Sequence, residues 1–269
     1  MSEKTIFLCE DTMEGIFTGV YQAWASRLGH ENVKLQIEET DTMELFASYQ
    51  TVETEIEKAE KVARTILRKM GTESWQMISR AALSCDTLRA DSIYRVLVLA
   101  LSKKTEMGSD RGGRNHPSDV LKQIQNPDVC RLFELSRNVW NETHRYMGFV
   151  RFRELKNGVL FSEIEPRNQV LPLLGEHFSD RFPRENFLIY DVTRGDVLAH
   201  EAGGGWWIVR NSPFTRESAM AISETEEELQ RLWRGFCRSI SIQERENRKL
   251  QQQLWPSKFR KWMTEGTGG

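Results

Sequence analysis

Asn157-Gly158 lies between two runs of alternating apolar and polar residues, FVRFRELK and VLFSEIEP. A type I′ hairpin turn needs positive φ at both central positions, and Asn-Gly meets that need better than any other common pair. The segment is therefore restricted to a β-hairpin, and Pro166 stops its second strand. The following stretch, NQVLPLLGEHFSDRF, has helical spacing: Val170, Leu174 and Phe178 form one stripe, with Leu173, His177 and Arg181 beside it. ENFLIYDVTRGDVLAHE then reads as a second hairpin around Thr193-Arg194-Gly195-Asp196, and three glycines, Gly203 to Gly205, break the chain before the apolar run WWIV. Hairpin, helix, hairpin assembles most simply as a small antiparallel sheet with helices on one face.

The rest of the chain is organised around this unit. TIFLCED reads as a short buried strand, Ile16 to Leu28 as an amphipathic helix, and Asn32 to Ile37 as a second strand. Asp41 or Thr42 is placed to cap a short helix. Thr51 to Met70 has helical spacing and ends at Gly71. Ser74 to Leu83 and Ser92 to Ser102 are helical and strongly apolar, and MGSDRGGRNHPSD is a loop. Ser118 opens a short helix, and Asn126-Pro127 opens another that runs to about His144, with proline in its first turn. Ser223-Glu224-Thr225-Glu226 is a capping-box pattern ahead of Leu229, Leu232, Trp233, Phe236 and Ile240. The expectation is an α+β protein in two subdomains. Residues 1–125 hold a strand–helix–strand unit and a helical bundle, and residues 126–265 hold the hairpin–helix–hairpin sheet with C-terminal helices.

No apolar run reaches the roughly 20 residues that a membrane span requires, so the expectation is a soluble, cytoplasmic chain without membrane contact. Cys9, Cys85, Cys130 and Cys237 are far apart and make no CxxC, so the spacing suggests neither a zinc site nor a Cys-held cluster. No metal or cofactor is expected. Net charge is −2, but the distribution is polar: residues 1–60 carry thirteen acids against four bases, and residues 231–262 carry nine bases against two acids. Such asymmetry can steer an anionic partner to one end of the molecule, or can draw the two ends of the chain together.

The strings FVRFRELKNGVLFSEIEP, HFSDRF and LIYDVTRG, with the opening FLCEDTMEG and the close ISIQERENRKLQQQLWPSKFRKWM, resemble the bacterial family called domain of unknown function 4130. The resemblance covers most of the chain. It implies a role in DNA metabolism beside a radical-SAM protein with helix-hairpin-helix motifs, and company with uracil-DNA-glycosylase-like domains. It implies no reaction for the domain itself. The three-cysteine spacing of a radical-SAM cluster is missing here, so this chain would be the companion in such a system.

Two groups of residues are candidates for function. Around the hairpins stand Glu142 and His144 at the end of a helix, Arg151 and Arg153 two apart on the first strand, His177 and Arg181 four apart on a helix, Asp191 at the close of the next strand and Arg194 in its turn. Histidines, carboxylates and arginines together can bind phosphate and move a proton, so His177, Glu142, His144 and Asp191 are the catalytic candidates. An Arg–carboxylate network closing the sheet edge is the structural alternative. In the C-terminal tail, Arg245, Arg248, Lys249, Lys258, Arg260 and Lys261 interleave with Trp255, Phe259 and Trp262. Cations neutralise phosphates and rings stack on bases, although the same rings could pin the tail onto the core. Arg151, Arg153, Arg181, Arg194, Arg245 and Lys258 are the nucleic-acid-binding candidates. The leading expectation is an accessory protein of DNA repair or modification that contacts DNA and a partner enzyme. The alternatives are an enzyme acting on nucleic acid or a nucleotide, and a non-catalytic scaffold for the radical-SAM partner.

Overall fold

The structure is a computed structural model and describes residues 4–37, 44, 46–102, 116–156 and 158–212. The expected cap at Asp41 or Thr42, most of the 108–118 loop, the C-terminal helices, and the candidates Arg245 and Lys258 lie outside the described residues. The chain divides into two compact units, with the division between Trp140 and Asn141.

In the first unit, β1 (Lys4–Cys9) lies between β2 (Val33–Ile37) and β3 (Ala47–Val52), and both pairs are parallel. A strand flanked on both sides and covered on its faces must be apolar, which explains Ile6, Phe7 and Cys9 at 0–2% exposure. α1 (Met13–Ala25) starts at Thr12, whose hydroxyl accepts from the Gly15 amide at 2.9 Å. α1 packs closely on the sheet because Gly19 has no side chain: a Cβ there would collide with Cys9 Sγ.

α2 (Ile56–Ala82) is bent at Gly71, whose φ of 83° and ψ of 175° end one helical segment and start the next. α3 (Arg89–Leu101), a 3-10 segment (Pro117–Lys122) and α4 (Pro127–Phe149) follow. The sequence pattern missed β3. Its polar Ser48, Gln50 and Thr51 lie on an edge strand that is buried only at Val52, so the alternation is faint. Val52 also fits the helical spacing of Ile56, which drew the expected helix start too far forward.

Arg89 ties this unit together. Its side chain is 2% exposed and forms an ion pair with Asp11, just past the end of β1. Its Nε donates to the Ala82 carbonyl at 3.1 Å and its Nη1 to the Asp86 carbonyl at 2.9 Å. The end of β1 is thereby joined to the end of α2.

The second unit begins within α4 and contains β4 (Arg153–Glu154), β5 (Leu160–Ile164), α5 (Leu171–Arg181), β6 (Phe187–Asp191), β7 (Asp196–His200) and β8 (Trp206–Val209). The strands lie in the order β4-β5-β6-β7-β8. Both expected hairpins form, β4–β5 and β6–β7, and β8 adds a further antiparallel pair. Gly158 and Gly195 take positive φ in the two turns, at 78° and 72°. β5 and β6 join the hairpins as a parallel pair, because the chain between them crosses over through α5. The class is α+β, as the pattern implied, with a mixed second sheet.

α5 buries Leu174 and Phe178 against Phe187, Ile189 and Leu198, in a core shared with Tyr146 and Val150. The approach is close at Gly175, where a Cβ would lie 2.7 Å from the Trp206 ring and 2.8 Å from Leu198. Among the described residues no helix is long and apolar enough to cross a membrane.

Candidate functional site

α4 continues to Phe149, so the first strand of the hairpin shrinks to Arg153 and Glu154. This corrects the expected placement of Arg151, which lies outside any strand and does not share a strand face with Arg153. Arg151 Nη1 instead donates to the carbonyls of Gly148 at 2.8 Å and Val150 at 3.2 Å, at the C-terminal end of α4. A guanidinium suits that end, where helix carbonyls gather partial negative charge.

From this end of α4 a groove of about 740 Å³ opens towards α5. His144, Arg151, His177 and Arg181 line it, together with Met147, Val150, Phe152, Leu160, Phe178 and Phe182. Four of the sequence candidates therefore meet on one surface. Among the described residues that line it, none is acidic. His177 and Arg181 are one turn apart on α5, and Phe178 is one turn before Phe182, the residue that caps the helix, so a basic stripe lies beside an aromatic one.

The aromatic side is a packed cluster. Phe152 stands edge-on to Phe178, Phe182 and Phe187 with centroids 5.2, 5.6 and 5.6 Å away. Phe178 and Phe182 lie nearly parallel at 6.2 Å. Edge-to-face contacts of this kind fix ring positions beyond what area burial alone does. The Arg181 guanidinium sits 5.7 Å from the centre of the Phe182 ring. His177 is half-buried, and this burial, followed by the charge of Arg181, lowers its pKa; Asp180 opposes the shift and His144 adds to it. The imidazole is therefore held neutral near pH 7.

The remaining candidates lie elsewhere in the unit. Glu142 is buried and accepts from the Arg167 amide at 3.1 Å, the Asn168 amide at 2.9 Å and Asn168 Nδ2 at 2.7 Å. It anchors the segment that leads into α5. Asp191 is 0% exposed and accepts from the Thr193 and Arg194 amides, at 2.9 and 3.3 Å, and from Arg194 Nη1 at 3.2 Å. Burial raises its pKa, opposed by Arg194 and these hydrogen bonds. Arg194 also donates to the carbonyls of Pro166 and Arg167, so the pair locks the second turn onto the end of β5. Arg153 pairs with Glu163 at 3.0 Å and lies over the Phe161 ring at 4.9 Å, on the sheet face opposite Phe152. These contacts match the structural alternative for Arg153, Asp191 and Arg194.

Met147, Phe152, Leu160 and Phe182 were not among the sequence candidates. One signal was present: the aromatic pair Phe178 and Phe182 runs one residue behind His177 and Arg181. Among the described residues no group of three or more His, Cys, Asp or Glu could hold a metal ion.

No curated protein matches the chain in sequence. One solved structure, a DHH-domain member of the S1p family of ribosomal proteins, is similar at 10% identity over 74% of each chain, with a TM-score of 0.32. A family model matches residues 88–265, which span both the α4–hairpin segment and α5 with its groove-lining stripes, and on that match the chain belongs to the family described as domain of unknown function, DUF4130.

Proposed function

We propose that the chain contacts nucleic acid through the groove between the end of α4 and α5, as an accessory protein of DNA repair or modification. One observation carries this reading: His144, Arg151, His177 and Arg181 line a single groove with no carboxylate among the described residues of its lining. Such a surface suits a phosphodiester, which guanidinium groups bind through charge-assisted hydrogen bonds. The DNA setting and the radical-SAM partner come from the family resemblance alone.

The test is binding of labelled DNA to the full chain across a salt series. The double variant Arg151→Gln/Arg181→Gln should bind more weakly to every sequence, and its salt slope should be lower by roughly 0.7–0.9 for each phosphate that is no longer neutralised. An unchanged slope, or no binding in low salt, would count against the reading.

The neutral imidazole of His177 favours the enzyme alternative, since such a group can accept a proton. Glu142 and Asp191, its expected carboxylate partners, are instead committed to backbone amides and to Asn168 and Arg194. Binding is therefore the preferred reading. Turnover of nicked, abasic or uracil-containing DNA that disappears in His177→Gln would reverse the preference.

A further inference from the structure

Only half of the groove is suited to phosphate. Met147, Val150, Phe152, Leu160, Phe178 and Phe182 form an apolar wall beside the four basic and imidazole side chains. Phe152 and Phe182 are half-buried, so each keeps some surface open. A ligand that satisfied only the cations would leave this wall in water. One that satisfied only the wall would bring apolar surface against two permanent guanidinium charges. The fitting ligand is planar and apolar at one end and anionic at the other.

The geometry points to an unpaired nucleotide, with its base against Phe152 and Phe182 and its phosphate at Arg151 and Arg181. This rests on the nucleic-acid reading above and narrows it to a substrate class. In a duplex the base faces are stacked against one another, so a duplex could offer the groove phosphates alone. In a single strand, or a free nucleotide, the base face is open to stack on an aromatic ring. The groove volume of about 740 Å³ lies within the usual range for sites that enclose a small ligand. His144 and His177, at the basic end, have ring nitrogens able to bond to phosphate or to a base edge.

Three DNAs of equal length separate the possibilities on the unmodified chain: a single strand, a duplex, and a single strand whose bases are replaced by abasic linkers. All present the same phosphodiester chemistry. The single strand should bind about tenfold or more tighter than either of the others, the scale expected for loss of one stacked base. Phe182→Leu, with its fold verified by thermal melting, should lower single-strand affinity towards the abasic level and leave duplex binding unchanged. Arg181→Gln should weaken all three. Competition by a mononucleotide, but not by deoxyribose 5-phosphate, would support the same ligand chemistry and identify a free nucleotide as its source.

Equal binding of duplex, abasic and normal strands would overturn the inference and leave the phosphate-contact reading standing. No binding of any of the three in low salt would overturn both. Tighter binding of a phosphotyrosine peptide than of the single strand would overturn the inference in favour of a protein partner.

Discussion

The carboxylate of Glu142 accepts three hydrogen bonds from two consecutive residues, Arg167 and Asn168. Gln at this position would keep the shape but replace an acceptor with a donor facing an amide N–H. Glu142→Gln should therefore destabilise the fold by about 1–3 kcal/mol in denaturant unfolding, with the salt slope of DNA binding unchanged. His177 makes a different prediction. Its pKa is lowered in the folded state, chiefly by burial, so unfolding takes up a proton at mildly acidic pH. The stability that His177 contributes is full above its unfolded value of about 6.5 and is lost as pH falls through the folded value. Wild type should thus lose stability relative to His177→Gln as pH falls below about 6.5, as thermal melts at several pH values would reveal. Protonation also adds a cation to the groove, so anion binding should tighten more steeply with falling pH in wild type than in His177→Gln.

Elements with strong periodicity were legible in the sequence. The Asn-Gly turn, the stripe of α5 and the glycine break in α2 all appear where local residue chemistry leaves few options. β3 was not legible, because an edge strand buried only at Val52 leaves little alternation to read. The length of β4 was not legible either. Phe149, Val150 and Phe152 suit a strand by composition, yet α4 continues to Phe149 and Tyr146 and Val150 are buried in the second unit's core. α5 depends on a contact that sequence marks only as a glycine. Gly175→Ala would place a methyl group 2.7 Å from the Trp206 ring. Its better helix propensity, about 1 kcal/mol, is outweighed by an overpacking cost of about 1–3 kcal/mol. The variant should melt at a lower temperature.

At the scale of the whole molecule, the functional reading depended on residues distant in sequence meeting on one surface, and the outcome is divided. Arg153 and Arg194 are drawn to Glu163 and Asp191, because each of those carboxylates is buried next to them. Arg151 and Arg181 face a common groove with His144 and His177. The sequence showed which residue types were available. It did not show which arginines had a buried carboxylate within reach, since that depends on the pairing of β5 with β6 and on where α4 stops. The apolar half of the groove was hidden for a related reason: its phenylalanines look like ordinary core residues until the end of α4 leaves some of their surface open.

α5 has two duties. The face carrying Leu174 and Phe178 closes the second core, and the adjoining face carries His177 and Arg181 into the groove. Occupancy and unfolding of this unit are therefore linked equilibria. Any molecule held at the groove reinforces the helix that shields the sheet, and any change that loosens that helix weakens the grip on what it holds.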